Sequence, residues 1–148
     1  MKLFLDIDGV LLGIDHEKSH RAALADHALV FLEFALAHFE VYWLTTHCRG
    51  DAQPAIDHII RHTKLSDRER LLDLVSQIRV SDYETFKTDG LPTDEPFVWL
   101  DDAPTQSELQ FLRERDWLDR WLWVDTREDP EDLIRARTWL EARLARMG

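Results

Sequence analysis

The chain has 148 residues, 45% of them hydrophobic and 32% charged, with a formal net charge of −11. That length fits one domain, spanning 1–148, with an ordinary buried core. The acidic balance repels nucleic-acid phosphates at long range and argues against a general nucleic-acid binder.

Cys48 is the one cysteine, which excludes an intramolecular disulfide and fits a reducing compartment. Met1-Lys2 runs straight into an acidic motif, with no apolar leader segment. The longest apolar tract, Ala28 to Phe39, is interrupted by Glu33 and His38. It is too short and too polar to span a bilayer. A cytoplasmic protein without a membrane partner is expected.

The elements follow in chain order. Lys2–Asp6 reads as strand one, an apolar run broken by Asp6 and Asp8 with Gly9 behind them. Residues i and i+2 of a strand share a side, so both carboxylates project near its C-terminal end. Ser19–Phe39 carries a helical pattern, with Ala22, Leu29, Leu32 and Leu36 near one face. Val41–Thr45 is strand two. Asp51–His62 and Asp67–Val75 read as helices, the second capped by Ser66. Gln77–Val80 is a short strand three, and Phe97–Leu100 is strand four. Thr105–Arg115 is a helix behind Pro104, and Trp121–Val124 is strand five. Asp129-Pro130-Glu131-Asp132 starts a last helix, whose apolar stripe is Leu133, Ala136, Leu140, Leu144 and Met147.

Strands alternating with helices predict a Rossmann-like α/β/α sandwich around a parallel sheet. Strands one, two and four are continuous apolar runs, as strands buried on both faces require. Ligands of such sheets bind beyond the carboxyl ends of the strands. Strand one ends in Asp6 and Asp8, strand two in Thr45-Thr46, and strand four in Asp101-Asp102. Neighbouring strands would bring four carboxylates and a hydroxyl into one small volume. Like charges that close are costly unless something offsets them. A divalent cation does so, and oxygen-only ligands favour Mg²⁺ over zinc.

The order D-x-D-G-V, a hydrophobic strand ending in threonine, a lysine, and a hydrophobic strand ending in D-D resembles the haloacid dehalogenase superfamily of phosphatases. W-L-T-T-H and V-W-L-D-D are also loosely similar to the corresponding domains of the Swiss Army Knife RNA-repair proteins. The resemblance implies a five-stranded parallel sheet of order 5-4-1-2-3. It implies a Mg²⁺-dependent phosphomonoester hydrolase acting on a phosphorylated substrate. Asp6 would be the nucleophile that forms an aspartyl-phosphate, and Asp8 the acid and base. Thr45 would hold a phosphoryl oxygen. Asp6, the backbone carbonyl of Asp8, Asp101 and Asp102 would surround the metal. The family's lysine lies between strands three and four. Of Lys2, Lys18, Lys64 and Lys87, only Lys87 lies there.

The stretches on either side of strand two are filled by helices and a short strand. Neither holds a cap domain of the usual size. An open site is expected, covered only by the loop from Leu11 to Lys18. Thr46, His47 and Arg49 face the same mouth and are candidate substrate contacts, Arg49 as a second anion ligand. Cys48 beside His47 lacks an orienting third group and is not read as a nucleophile. His58 and His62, four apart on a helix, read as part of a solvated face. Trp43 and Trp99 should be buried. A non-catalytic domain that binds a phosphorylated ligand or a partner, and a homo-oligomer, remain alternatives at this level.

Overall fold

The computed structural model describes residues 1–148 as an α/β fold around a four-stranded parallel sheet. In chain order the elements are β1 (Lys2–Leu5), β2 (Leu12–Ile14), β3 (Ala22–Leu24), α1 (Ala28–His38), β4 (Glu40–Trp43), α2 (Gln53–Arg61) and α3 (Leu65–Val75). Then follow a 3₁₀ turn (Lys87–Gly90), β5 (Phe97–Asp101), α4 (Gln106–Glu114), a second 3₁₀ turn (Leu118–Arg120), β6 (Trp121–Trp123) and α5 (Asp132–Met147).

The sheet order is β4-β1-β5-β6, with every neighbouring pair parallel. β1 is therefore flanked by the strands that end in Thr45 and in Asp101, as expected. Alternate residues of these strands enter opposite cores. Leu3, Leu5, Val41, Trp43, Val98 and Leu100 pack with residues of α1, α2, α3 and α5. Phe4, Phe97 and Trp99 pack on the other side with Leu112 of α4. Helices thus cover both faces. Trp43 and Trp99 are fully buried.

Of the five expected strands, strand three is absent, which leaves four. Gln77–Val80 is reduced to one parallel bridge, between Arg79 and Tyr42. Arg79 donates its N–H to the Val41 carbonyl at 2.8 Å and accepts from Trp43 at 2.9 Å. Only Ile78 of this stretch is buried, while Val80 is exposed and Arg79 pairs with Glu40 at the edge. One inward residue is too little to anchor a longer strand.

The long helix expected over Ser19–Phe39 is also corrected. Ala22–Leu24 pairs antiparallel with Leu12–Ile14, and the helix starts only at Ala28. Asp15 holds the intervening turn by accepting from the N–H groups of Glu17 and Lys18. His20 at φ 54° breaks any helical run there. The segment after β1 is therefore a small hairpin rather than a bare loop. Thr126 fastens its base by donating its N–H to the Gly9 carbonyl and its hydroxyl to the Val10 carbonyl.

Other boundaries shift less. α3 begins at Leu65 after an extended Lys64, so Ser66 lies inside the helix rather than capping it. α4 is capped as its sequence suggests. Thr105 accepts from Glu108 N–H, and Glu108 accepts from Thr105 N–H. No helix is long and apolar enough to cross a membrane.

Candidate functional site

The C-terminal ends of β1 and β5 lie side by side and carry Asp6 and Asp101. Both are almost fully buried. Lys87, at the start of the first 3₁₀ turn, puts its Nζ between them, 3.1 Å from Asp6 Oδ2 and 2.6 Å from Asp101 Oδ2. The other oxygens are also engaged. Ile7 N–H donates to Asp6 Oδ1 at 2.8 Å, and Ala103 N–H donates to Asp101 Oδ1 at 2.9 Å.

Asp102 completes the group. Ligand oxygens of Asp6, Asp101 and Asp102 lie within 4.8 Å of one another. Arg127 approaches Asp102 Oδ2 at 3.4 Å. Gly9 makes room for this carboxylate. It adopts φ 77°, and a Cβ there would stand 2.2 Å from Asp102 Oδ2.

The electrostatics follow from burial. Burial raises the pKa of Asp6, with Lys87 opposing it. Burial and then the Asp6 charge push Asp101 up to about 6. Burial and the Asp101 charge raise Asp102. Lys87 goes the same way for the opposite reason. Burial alone would lower its pKa, but the charges of Asp6 and Asp101 raise it well above the ordinary lysine value. Three crowded carboxylates face one ammonium and one guanidinium, so negative charge is in excess when all three are ionised. An oxygen-only set of this kind fits a small hard cation.

No family model matches this chain, and no curated protein or solved structure matches it either.

Asp8 does not join the acidic group through its carboxylate, as the sequence had suggested. It turns to a histidine pair. His58 Nε2 lies 2.8 Å from Asp8 Oδ1, and His47 Nε2 lies 2.8 Å from Asp8 Oδ2. The two rings stack with centroids 3.8 Å apart and planes 17° apart. His62 meets His58 edge-on at 5.1 Å. Burial would raise the Asp8 pKa, but hydrogen bonds with His58 and His47 more than offset it and lower the pKa. The two carboxylates of the D-x-D motif are thus unlike, with Asp6 pushed up and Asp8 pushed down.

His58 is thus no part of a solvated face. The signal was present. Ala55, His58, Ile59 and His62 follow the i, i+3, i+4, i+7 spacing, and Ala55 and Ile59 are fully buried. Both histidines sit on the stripe that faces inward.

The remaining expected residues divide. Thr45 is fully buried at the end of β4, where its hydroxyl oxygen accepts from His47 N–H at 3.3 Å. Thr46 is exposed. Arg49 is exposed and bound elsewhere, donating to the Glu84 carbonyl at 3.0 Å and covering the Tyr83 ring. Cys48 is buried, and burial raises its pKa, which keeps it a thiol.

One positioning residue was missed altogether. Glu108 is buried, and its Oε2 accepts from Lys87 N–H at 2.6 Å while its Oε1 serves the α4 cap. It ties the turn carrying Lys87 to the helix that follows Asp101.

Proposed function

We propose that this chain is a divalent-cation-dependent phosphomonoesterase of haloacid dehalogenase type. Asp6 would form the aspartyl-phosphate, with Mg²⁺ as the cation. The observation that carries the reading is the Lys87 ammonium shared by Asp6 and Asp101 at adjacent strand ends, with Asp102 beside them. That is a nucleophile, a cation-binding acid pair and a phosphate-binding cation in one place.

In the first step an Asp6 carboxylate oxygen attacks phosphorus, and the bond to the leaving oxygen breaks. Lys87 and the Thr45 hydroxyl are the donors available to the phosphoryl oxygens. The cation, held by Asp6, Asp101 and Asp102, would offset the charge of the phosphate as it meets an anionic nucleophile. In the second step water attacks the phosphorus of phospho-Asp6. The bond from phosphorus to the Asp6 oxygen breaks, the water proton passes to Asp8, and orthophosphate leaves. The lowered pKa of Asp8 keeps it ionised, and so able to accept a proton, at neutral pH. It suits protonating a poor leaving group less, so aryl phosphates should react better than alkyl phosphates.

Steady-state hydrolysis of p-nitrophenyl phosphate tests the reading. Mg²⁺ should support turnover, EDTA should abolish it, and Asp6→Asn should lack it. Turnover in neither condition by the folded wild type would favour a non-catalytic phospholigand-binding domain.

A further inference from the structure

We propose that His47 and His58 are positioning residues that clamp Asp8 from both sides. Each donates its Nε2 proton to one carboxylate oxygen, and together they fix the orientation from which Asp8 activates water. The catalytic half rests on the phosphatase reading above, whereas the clamp itself stands on geometry.

Three separate parts of the chain meet here. Asp8 follows β1, His47 follows β4, and His58 lies within α2. Asp8 directly precedes Gly9 and is partly exposed, so its side-chain orientation needs a limit from outside. The two 2.8 Å contacts supply that limit. The rings brace each other by stacking, and the His62 ring packs edge-on against His58. A carboxylate oxygen has two lone pairs. One contact per oxygen leaves a second acceptor site on each for water.

Two histidines and a carboxylate are also a metal-ligand set, and their ligand atoms lie within 4.8 Å of one another. The ring geometry argues for donation instead. A metal lies near the plane of each imidazole that binds it, along the nitrogen lone pair. These rings are nearly parallel and 3.8 Å apart. An ion midway would stand well out of both planes, by up to half that centroid separation, against a zinc–nitrogen bond of about 2.0–2.1 Å. Two N–H donors side by side, each facing its own oxygen, fit without distortion.

Two measurements on the full chain test the proposal. The first is long-range ¹H–¹⁵N imidazole NMR, which reads the position of the ring proton and requires no activity. Both His47 and His58 should carry hydrogen on Nε2. In Asp8→Asn the amide offers one acceptor and one donor, so one ring should switch its proton to Nδ1. A bare Nε2 on either ring of the wild type would overturn the clamp. So would stoichiometric Zn²⁺ binding that strips hydrogen from both Nε2 atoms.

The second is kinetic. His58→Leu and His47→Leu should each lower kcat on p-nitrophenyl phosphate at least tenfold, lower KM with it so that kcat/KM stays within about twofold, and accumulate phospho-enzyme. His58→Gln, which keeps an amide N–H donor, should recover part of the loss. Equal defects in Leu and Gln variants, or a change in KM alone, would overturn the positioning role. A wild type that forms no phospho-enzyme would overturn the phosphatase reading and the catalytic half with it. The NMR result would still decide the clamp.

Discussion

Lys87 Nζ lies 2.6 Å from Asp101 Oδ2, inside a pocket of three carboxylates. One ammonium thereby holds two buried acids at the ends of adjacent parallel strands. Removing one partner of a buried ion pair leaves the others uncompensated.

Lys87→Met keeps the bulk of the side chain and deletes the charge. It should cost about 3 kcal/mol in urea unfolding without divalent cations. Saturating Mg²⁺ should restore part of that stability, because it replaces missing positive charge. Turnover should fall at least tenfold. Unchanged stability in the variant would mean that Lys87 does not hold these acids.

Gly9 and Gly50 offer an internal comparison. Both have φ 77°, but a Cβ on Gly9 would lie 2.2 Å from Asp102 Oδ2, whereas one on Gly50 would meet Asp82 only at 3.4 Å. Each alanine variant should lose about 1–2 kcal/mol from the left-handed backbone. Only Gly9→Ala should also shrink the rise in melting temperature produced by Mg²⁺. Equal Mg²⁺ responses in the two variants would remove Asp102 from the proposed cation site.

The raised pKa of Asp101 gives a pH dependence with a definite sign. Its native pKa is about 6, above the ordinary value of 3.8. The native state therefore holds the proton more tightly, and the group costs stability as pH rises from about 4 to about 6. Asp101→Asn has no such cost. In EDTA, the stability of the variant relative to wild type should increase across that window and level off above it. Parallel curves from pH 4 to pH 7 would contradict the burial-driven shift.

Much of the sheet was legible because its strands are apolar runs that stop at polar residues. Those stops placed Asp6, Thr45 and Asp101 on neighbouring strand ends. Lys87 was reached through the family pattern. Two features escaped because they depend on pairing across the chain. Residues 19–25 carry helix-compatible alanines, yet they form half of a hairpin once Asp15 sets the turn. Propensity loses to tertiary pairing there. Gln77–Val80 has strand character but only one residue to bury, so it yields a single bridge. His58 was misplaced for a different reason. Its helical spacing from His62 was read apart from Ala55 and Ile59, which show that this face points inward.

Asp6 is proposed to carry a covalent phosphate during turnover. Asp8→Asn should still permit attack on a substrate with a good leaving group and then stall before water attacks. Mass spectrometry after reaction with p-nitrophenyl phosphate and Mg²⁺ should find a hydroxylamine-sensitive phosphate on Asp6 in Asp8→Asn. It should find none in Asp6→Asn. Phosphate on His47, His58 or Cys48, or equal residual turnover in both variants, would contradict the account.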